Sequence, residues 1–213
     1  MPKPPPPPAA DAAAVTVPLD GMAMIPDGSL GAVITFLEMR ARPEGLPAAA
    51  PDLAFERLGG DEVARFRRLF REVGEDWMWT SRLPWTDAEV SARLAEPGIE
   101  ALAIRRDGAD IGLVELDGRT TGEIEVVLFG LAPGAVGRGA GKAALAAVLG
   151  DAWSRPGTRR VWLHTCTLDH PRALGFYRSM GFVAFARAIE ISPDPRLKGL
   201  MRREAAPDLP VVG

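Results

Sequence analysis

The chain has 213 residues, a formal net charge of −3 and a single cysteine. The length fits one domain of ordinary size with flexible ends, and the charge gives no general attraction to nucleic acid. One cysteine excludes an internal disulfide and suits a reducing, cytoplasmic setting.

Residues 1–28 are rich in proline and alanine, and Pro4–Pro8 is expected to be polyproline-like and exposed. No apolar core follows the one lysine there, so the segment does not read as a signal peptide. Residues Gly31–Arg42 alternate and predict a first strand, and Leu53–Arg57 predict a short second one after a Pro43–Pro51 loop. Asp61–Val73 predicts a helix, with Val63, Phe66, Leu69 and Phe70 at helical spacing. Thr86 starts a second helix running to about Ala95, with Glu89 completing a capping box. Strands follow at Glu100–Arg105, Ile111–Asp117 and Glu123–Leu131, and the turn residues Asp107-Gly108 and Asp117-Gly118 make them an antiparallel meander. Leu145, Val148, Leu149 and Ala152 form one stripe of a third helix. Arg160–Thr165 is the next strand. A fourth helix is capped by Asp169 and ended by Gly181, and Phe182–Ile191 is a last strand. Residues 193–213 carry four prolines and read as a loosely packed tail. The order defines a mixed α/β domain around one sheet.

The two histidines, His164 and His170, lack the spacing of a metal site, so no metal is expected. No apolar run approaches the roughly 20 residues that cross a bilayer, so no membrane partner is expected. The short basic clusters at Arg65–Arg71 and Arg159-Arg160 are balanced by acids and read as solvated faces.

The segment Leu131–Lys142 ends an apolar run with a glycine-rich turn and opens an alanine-rich helix. Alternate glycines let backbone approach a ligand, and a helix start presents free N–H groups to an anion. Three phosphate loops compete for it. The P-loop fails, because Val136 stands where its first glycine belongs and Ala143 where its hydroxyl belongs. The dinucleotide fingerprint fits Gly139-x-Gly141-x-x-Ala144, but it begins too far from the strand and lacks the later acidic residue.

The third pattern is one that this segment resembles: the acyl-CoA pyrophosphate loop of the GNAT superfamily of N-acetyltransferases. Leu131 takes the valine position, and Pro133, Gly137, Gly139 and Gly141 match; Val136 departs from the usual Gln or Arg. A later stretch resembles the family's Asn-x-x-Ala-x-x-Phe-Tyr-x-x-x-Gly-Phe motif, with Ala173, Phe176, Tyr177, Gly181 and Phe182 in register and His170 at the Asn position. The resemblance covers about residues 30–192, and residues 29–192 are taken as the acyl-CoA N-acyltransferase domain. It implies a mostly antiparallel central sheet flanked by helices, with a splayed strand pair that binds acyl-CoA.

It also implies the site. The backbone at Phe129, Leu131 and Ala132 pairs with the pantetheine arm. The amides of Gly137, Arg138, Gly139, Ala140, Gly141 and Lys142 hold the pyrophosphate, with Arg138 and Lys142 side chains reaching phosphates or water. His170, Ala173 and Phe176 complete the cofactor side. Tyr177 stands near the thioester sulfur as general acid. Glu125, where histone-acetylating members carry their glutamate, is the candidate base, directly or through water, with Glu123 beside it on the same strand face. A salt bridge is the alternative role for either glutamate. Glu75, Trp77 and Trp79, between the first two helices, are candidates to wall the acceptor pocket. A Cys166–His164 nucleophile lacks an evident third group, and Cys166 reads as core.

The resulting expectation is an acetyl-CoA-dependent N-acetyltransferase acting by direct attack of a small-molecule or peptide amine, with a homodimer left open. The alternative is a catalytically silent acyl-CoA-binding sensor or assembly module.

Overall fold

A computed structural model describes residues 20–46, 50–137 and 139–213. Pro4–Pro8 and Arg138 lie outside the described residues. The elements in chain order are β1 (Ser29–Met39), β2 (Leu53–Leu58), α1 (Val63–Gly74), α2 (Asp87–Ala95), β3 (Ile99–Arg106), β4 (Ala109–Asp117), β5 (Glu123–Leu131), α3 (Ala140–Ser154), β6 (Arg160–Cys166), α4 (Ala173–Ser179) and β7 (Val183–Pro193).

Local chemistry explains most of these boundaries. Phe66, Leu69, Phe70 and Val73 recur at helical spacing, and all four are buried on α1. Thr86 and Glu89 form the capping box of α2, each side chain accepting from the other's backbone N–H. Asp107 and Gly108 both have positive φ, the conformation of a tight two-residue hairpin turn, and they join β3 to β4. Gly181 takes a left-handed conformation (φ +99°) just past α4 and ends it.

The strands form one seven-stranded sheet in the order β2-β3-β4-β5-β6-β1-β7. Every neighbouring pair is antiparallel except β5 and β6. Helices α3 and α4 cover one face, where Leu37, Val114, Val126, Leu145, Leu149, Leu163, Tyr177 and Phe182 pack in one core. Helices α1 and α2 cover part of the other, over Ala101, Ala103, Leu113 and Leu128.

The parallel pair positions the site. β5 and β6 are in register only at Glu123↔Arg160, Ile124↔Val161 and Glu125↔Trp162. Beyond Glu125 each strand follows its outer neighbour. The β4–β5 register pairs Leu116 with Val126 and Glu115 with Leu128, so Val127 is an extra residue on β5, a bulge that bends the strand. β6 stays with β1, through Phe36↔His164 and Ile34↔Cys166. The sheet forks just past Glu125.

β1 is inserted between β6 and β7, and it buries side chains on both faces, Leu30 and Ile34 on one and Leu37 and Met39 on the other. Two details differ from the sequence reading. Asp169 does not cap α4, whose N-cap is Arg172 with no side-chain cap. Its carboxylate instead accepts from Thr165 Oγ1 (2.7 Å) and Cys166 N (2.9 Å), fixing the turn that leaves β6. The C-terminal segment is not loose. Asp194 and Arg196 form a buried ion pair at 2.8 Å, and Arg196 Nη1 donates to the carbonyls of Ala205 (3.1 Å) and Leu209 (2.7 Å). Met201 and Ala205 are buried there with Leu30 and Met78.

Candidate functional site

The glycine turn begins where β5 ends. Ala132 is buried and its N–H donates to Ile111 O at 2.8 Å, so that amide extends the sheet. A single tight helical turn, Pro133–Ala135, follows. Gly137 and Gly139 then adopt φ of +94° and +77° with open space around both. Such values suit glycine, and the empty flank leaves the backbone approachable. Gly139 is the N-cap of α3, and no side chain caps that helix. The first-turn amides of a helix, here those of Ala140, Gly141 and Lys142, have no intrahelical acceptor, and the helix dipole adds positive potential. Lys142 is exposed. The turn therefore fits a phosphate-bearing ligand.

Next to it, Phe129 of β5 stacks on Phe176 of α4 (ring centroids 6.0 Å apart, planes at 10°), which links one prong of the fork to α4. A Cβ at Gly141 would lie in ordinary contact with the Phe176 and Leu131 side chains. Ala173 starts α4 and its N–H donates to His170 O at 2.7 Å. His170 Nδ1 accepts from Arg172 N (3.1 Å), and its ring lies 4.7 Å from that of Trp77.

The two glutamates of β5 have different surroundings. Glu123 accepts from Arg160 Nη1 at 2.9 Å, and Arg160 Nε also donates to Glu38 at 2.7 Å, so the charge of Glu123 is committed to a strand-to-strand ion pair. Glu125 stands at the crotch of the fork. Its Oε1 lies 3.7 Å from His164 Nδ1, an ion-pair separation longer than a hydrogen bond. The imidazole is held above the ordinary histidine range, chiefly by this carboxylate; burial opposes the shift, and Asp169 and Glu190 add smaller pulls.

Tyr177 lies on the opposite side of the sheet, on the buried face of α4, and is 9% exposed. Its ring packs edge-on against Phe176 (5.3 Å) and Phe182 (6.1 Å). Burial, with a smaller contribution from Asp169, pushes the phenol far above its ordinary range, so it stays protonated at any physiological pH. Burial first, and Asp169 second, push the Cys166 thiol up to about 11, which disfavours the thiolate that a nucleophile needs.

The aromatic residues between α1 and α2 do not converge on one pocket. Trp79 packs in the core against Phe70 (5.6 Å) and closes on Gly74 and Gly130. Trp77 covers His170, and Trp85 lies under the Arg82 guanidinium at 4.5 Å. Glu75 pairs with Arg202 at 3.0 Å, beside an open groove also bounded by Arg71, Glu72, Asp76 and Pro133. A feature with no signal in the sequence holds this region down. Glu115 of β4, fully buried, accepts from Arg82 at 2.8 Å and from Arg93 at 2.9 Å.

A forked parallel pair, a bulge on one prong and an uncapped helix behind a glycine turn define the class of an acyltransferase fold. The GNAT acetyltransferase family model matches residues 66–182, more than half of the chain. The chain belongs to the GNAT acetyltransferase family. Among solved structures it is similar to a functionally unknown conserved protein from Staphylococcus epidermidis (16% identity, 77% of this chain and 62% of that one, TM-score 0.57). It is also similar to GCN5-related N-acetyltransferases from Kribbella flavida (19%, 81% and 63%, TM-score 0.54) and Sphaerobacter thermophilus (19%, 76% and 51%, TM-score 0.57). At these identities the likeness is one of fold. The chain spans less than two thirds of the length of each of these three. No curated protein matches the chain significantly.

Proposed function

We propose that the protein is an acetyl-CoA-dependent N-acetyltransferase that acetylates a primary amine by direct attack, in a cytoplasmic setting. The observation that carries this reading is the fork between β5 and β6, with the glycine turn and the uncapped α3 at the end of one prong and Glu125 at its crotch. The donor's pyrophosphate is assigned to the amides of Gly137–Lys142 and its arm to the gap beside Phe129 and Leu131. At the bulge, the backbone of Val127 lies outside the β4 register, and its N–H is assigned to the thioester oxygen.

The fork lets the two sides of the sheet share one reacting centre. The acceptor comes from the side of Glu125, whose charge draws the proton off the ammonium directly or through a water. The freed nitrogen bonds to the thioester carbonyl carbon, the C–S bond breaks, and the sulfur takes the Tyr177 proton. Of the two protons the ammonium gives up, one goes to solvent and one restores Tyr177. No covalent enzyme intermediate is needed, since the thioester is already activated. Trp77, and Glu75 beside it, border the acceptor's approach.

The test is amine-dependent thiol release from acetyl-CoA, read across amino acids, amino sugars, polyamines and peptides, with the acetylated product identified by mass spectrometry. Acetylation of a primary amine is expected. Acetyl-CoA binding without transfer to any amine would make the chain an acyl-CoA-binding module instead.

A further inference from the structure

We propose that His164 is a catalytic residue of this site: it takes the acceptor's proton, with Glu125 behind it as the anion that orients its ring and stabilises its charged form. The inference rests on the transferase reading above and deepens it, putting an imidazole where a water would otherwise relay the proton to Glu125.

Three observations carry it. The first is position. The last register pair of the parallel strands is Glu125↔Trp162, and His164 is the next residue of β6 on that face. Leu163 points the other way, into the core under α3, as do Ile124 and Val126 of β5. Glu125 and His164 therefore meet across the crotch on the acceptor side, one from each prong, 3.7 Å apart.

The second is the order in depth. The His164 side chain is 44% exposed and that of Glu125 is 21% exposed. An amine entering the fork reaches the imidazole before the carboxylate. The ring turns Nδ1 to Glu125, which leaves Nε2 as the nitrogen that accepts a proton. The Phe36 ring of β1, 5.8 Å away and tilted by 48°, walls its side.

The third is the charge around it. The charged groups that act on His164 are Glu125 from β5, Asp169 from the turn after β6 and Glu190 from β7, and Cys166 is the next residue of its own strand on that face. Arg160 shares the strand face, but its guanidinium is held by Glu38 and Glu123. The charged neighbours are thus anions, which favour the imidazolium once formed. In the step, neutral His164 accepts one proton at Nε2 and the amine nitrogen keeps the electron pair that attacks the thioester. The imidazolium, paired with Glu125, then releases its proton to water.

The experiment combines an imidazole NMR titration with pH–rate profiles. The chain has two histidines, so a His170→Asn spectrum assigns both signals. In the wild type, His164 is expected to titrate above the ordinary histidine value, and Glu125→Gln is expected to lower its midpoint. The acid limb of kcat/KM should follow that midpoint and move with it in Glu125→Gln. His164→Asn and His164→Gln should each lower kcat/KM roughly 100-fold or more and abolish that limb, with acetyl-CoA affinity unchanged. A limb that persists in either His164 variant, or a His164 midpoint that ignores Glu125→Gln, overturns the assignment while leaving the transferase intact. No transfer by the wild type to any amine takes down the transferase reading and this one together.

Discussion

Truncating Glu115 should cost this fold more than any surface charge. The carboxylate is fully buried, and its Oε1 takes Arg82 Nη2 at 2.8 Å, Arg93 Nε at 3.0 Å and Arg93 Nη2 at 2.9 Å. Removing one partner of a buried pair leaves an uncompensated charge, which costs about 3–5 kcal/mol. Here the penalty falls mainly on Arg82, which is 8% exposed and has no other carboxylate within 4.0 Å among the described residues. Arg93 keeps Glu96 and Asp117, each at 3.3 Å. Glu115→Ala is therefore expected to lose about 3 kcal/mol, or roughly 6–12 °C in Tm for a domain of this size. Urea unfolding measures it: the midpoint should fall with the slope unchanged. The doubly apolar replacement Arg82→Met with Glu115→Leu should recover most of the loss, because desolvation of both ions disappears together. A loss below about 1 kcal/mol in Glu115→Ala, or no recovery in the double variant, would show that Arg82 does not depend on Glu115 for its burial.

Tyr177→Phe should lower kcat about 100-fold while leaving CoA affinity nearly unchanged, as steady-state kinetics and calorimetry will show; unchanged turnover with chemistry rate-limiting removes Tyr177 as the acid. Gly139→Ala has open space for its methyl but must hold φ near +77°, so about 1–2 kcal/mol of backbone strain should appear in unfolding measurements together with a weaker CoA affinity. Asp110 is held down to about 2, chiefly by Arg65, against a reference of 3.8. Its unfolded form takes up a proton first as pH falls, so the stability it supplies is present above about pH 4 and is lost towards pH 2. Asp110→Asn should lose about 2 kcal/mol at pH 7 and flatten that acid limb in pH-dependent unfolding.

The parts of the fold that were legible in the sequence are those that local chemistry decides. Thr86 and Glu89 cap α2 through backbone groups within one turn, and Asp107-Gly108 forces a tight turn between two strands. The glycine turn was legible for the same reason, since Gly137 and Gly139 meet a local need for positive φ. Long-range pairing was not. Nothing in the alternation of Ser29–Met39 tells which strands will flank it, and its place between β6 and β7 follows from partners far along the chain. Asp169 precedes a helix at capping distance, but the turn around it presents the Thr165 hydroxyl and the Cys166 amide first. Glu125 and His164 lie on different strands, and only the fork brings them together. In the sequence His164 stands nearest Cys166, which suggested a pairing that the raised, half-buried thiol disfavours. The tryptophans of the α1–α2 connection looked like one pocket because they are close in sequence; tertiary packing sends Trp77, Trp79 and Trp85 to three separate neighbours.

Calorimetric titration of the full chain with CoA, ATP and NAD shows whether the forked strands and the glycine turn form an acyl-CoA site. One CoA is expected to bind per chain, with neither ATP nor NAD competing for it. Equal binding of all three, or no heat and no change in melting temperature at saturating CoA, would contradict it.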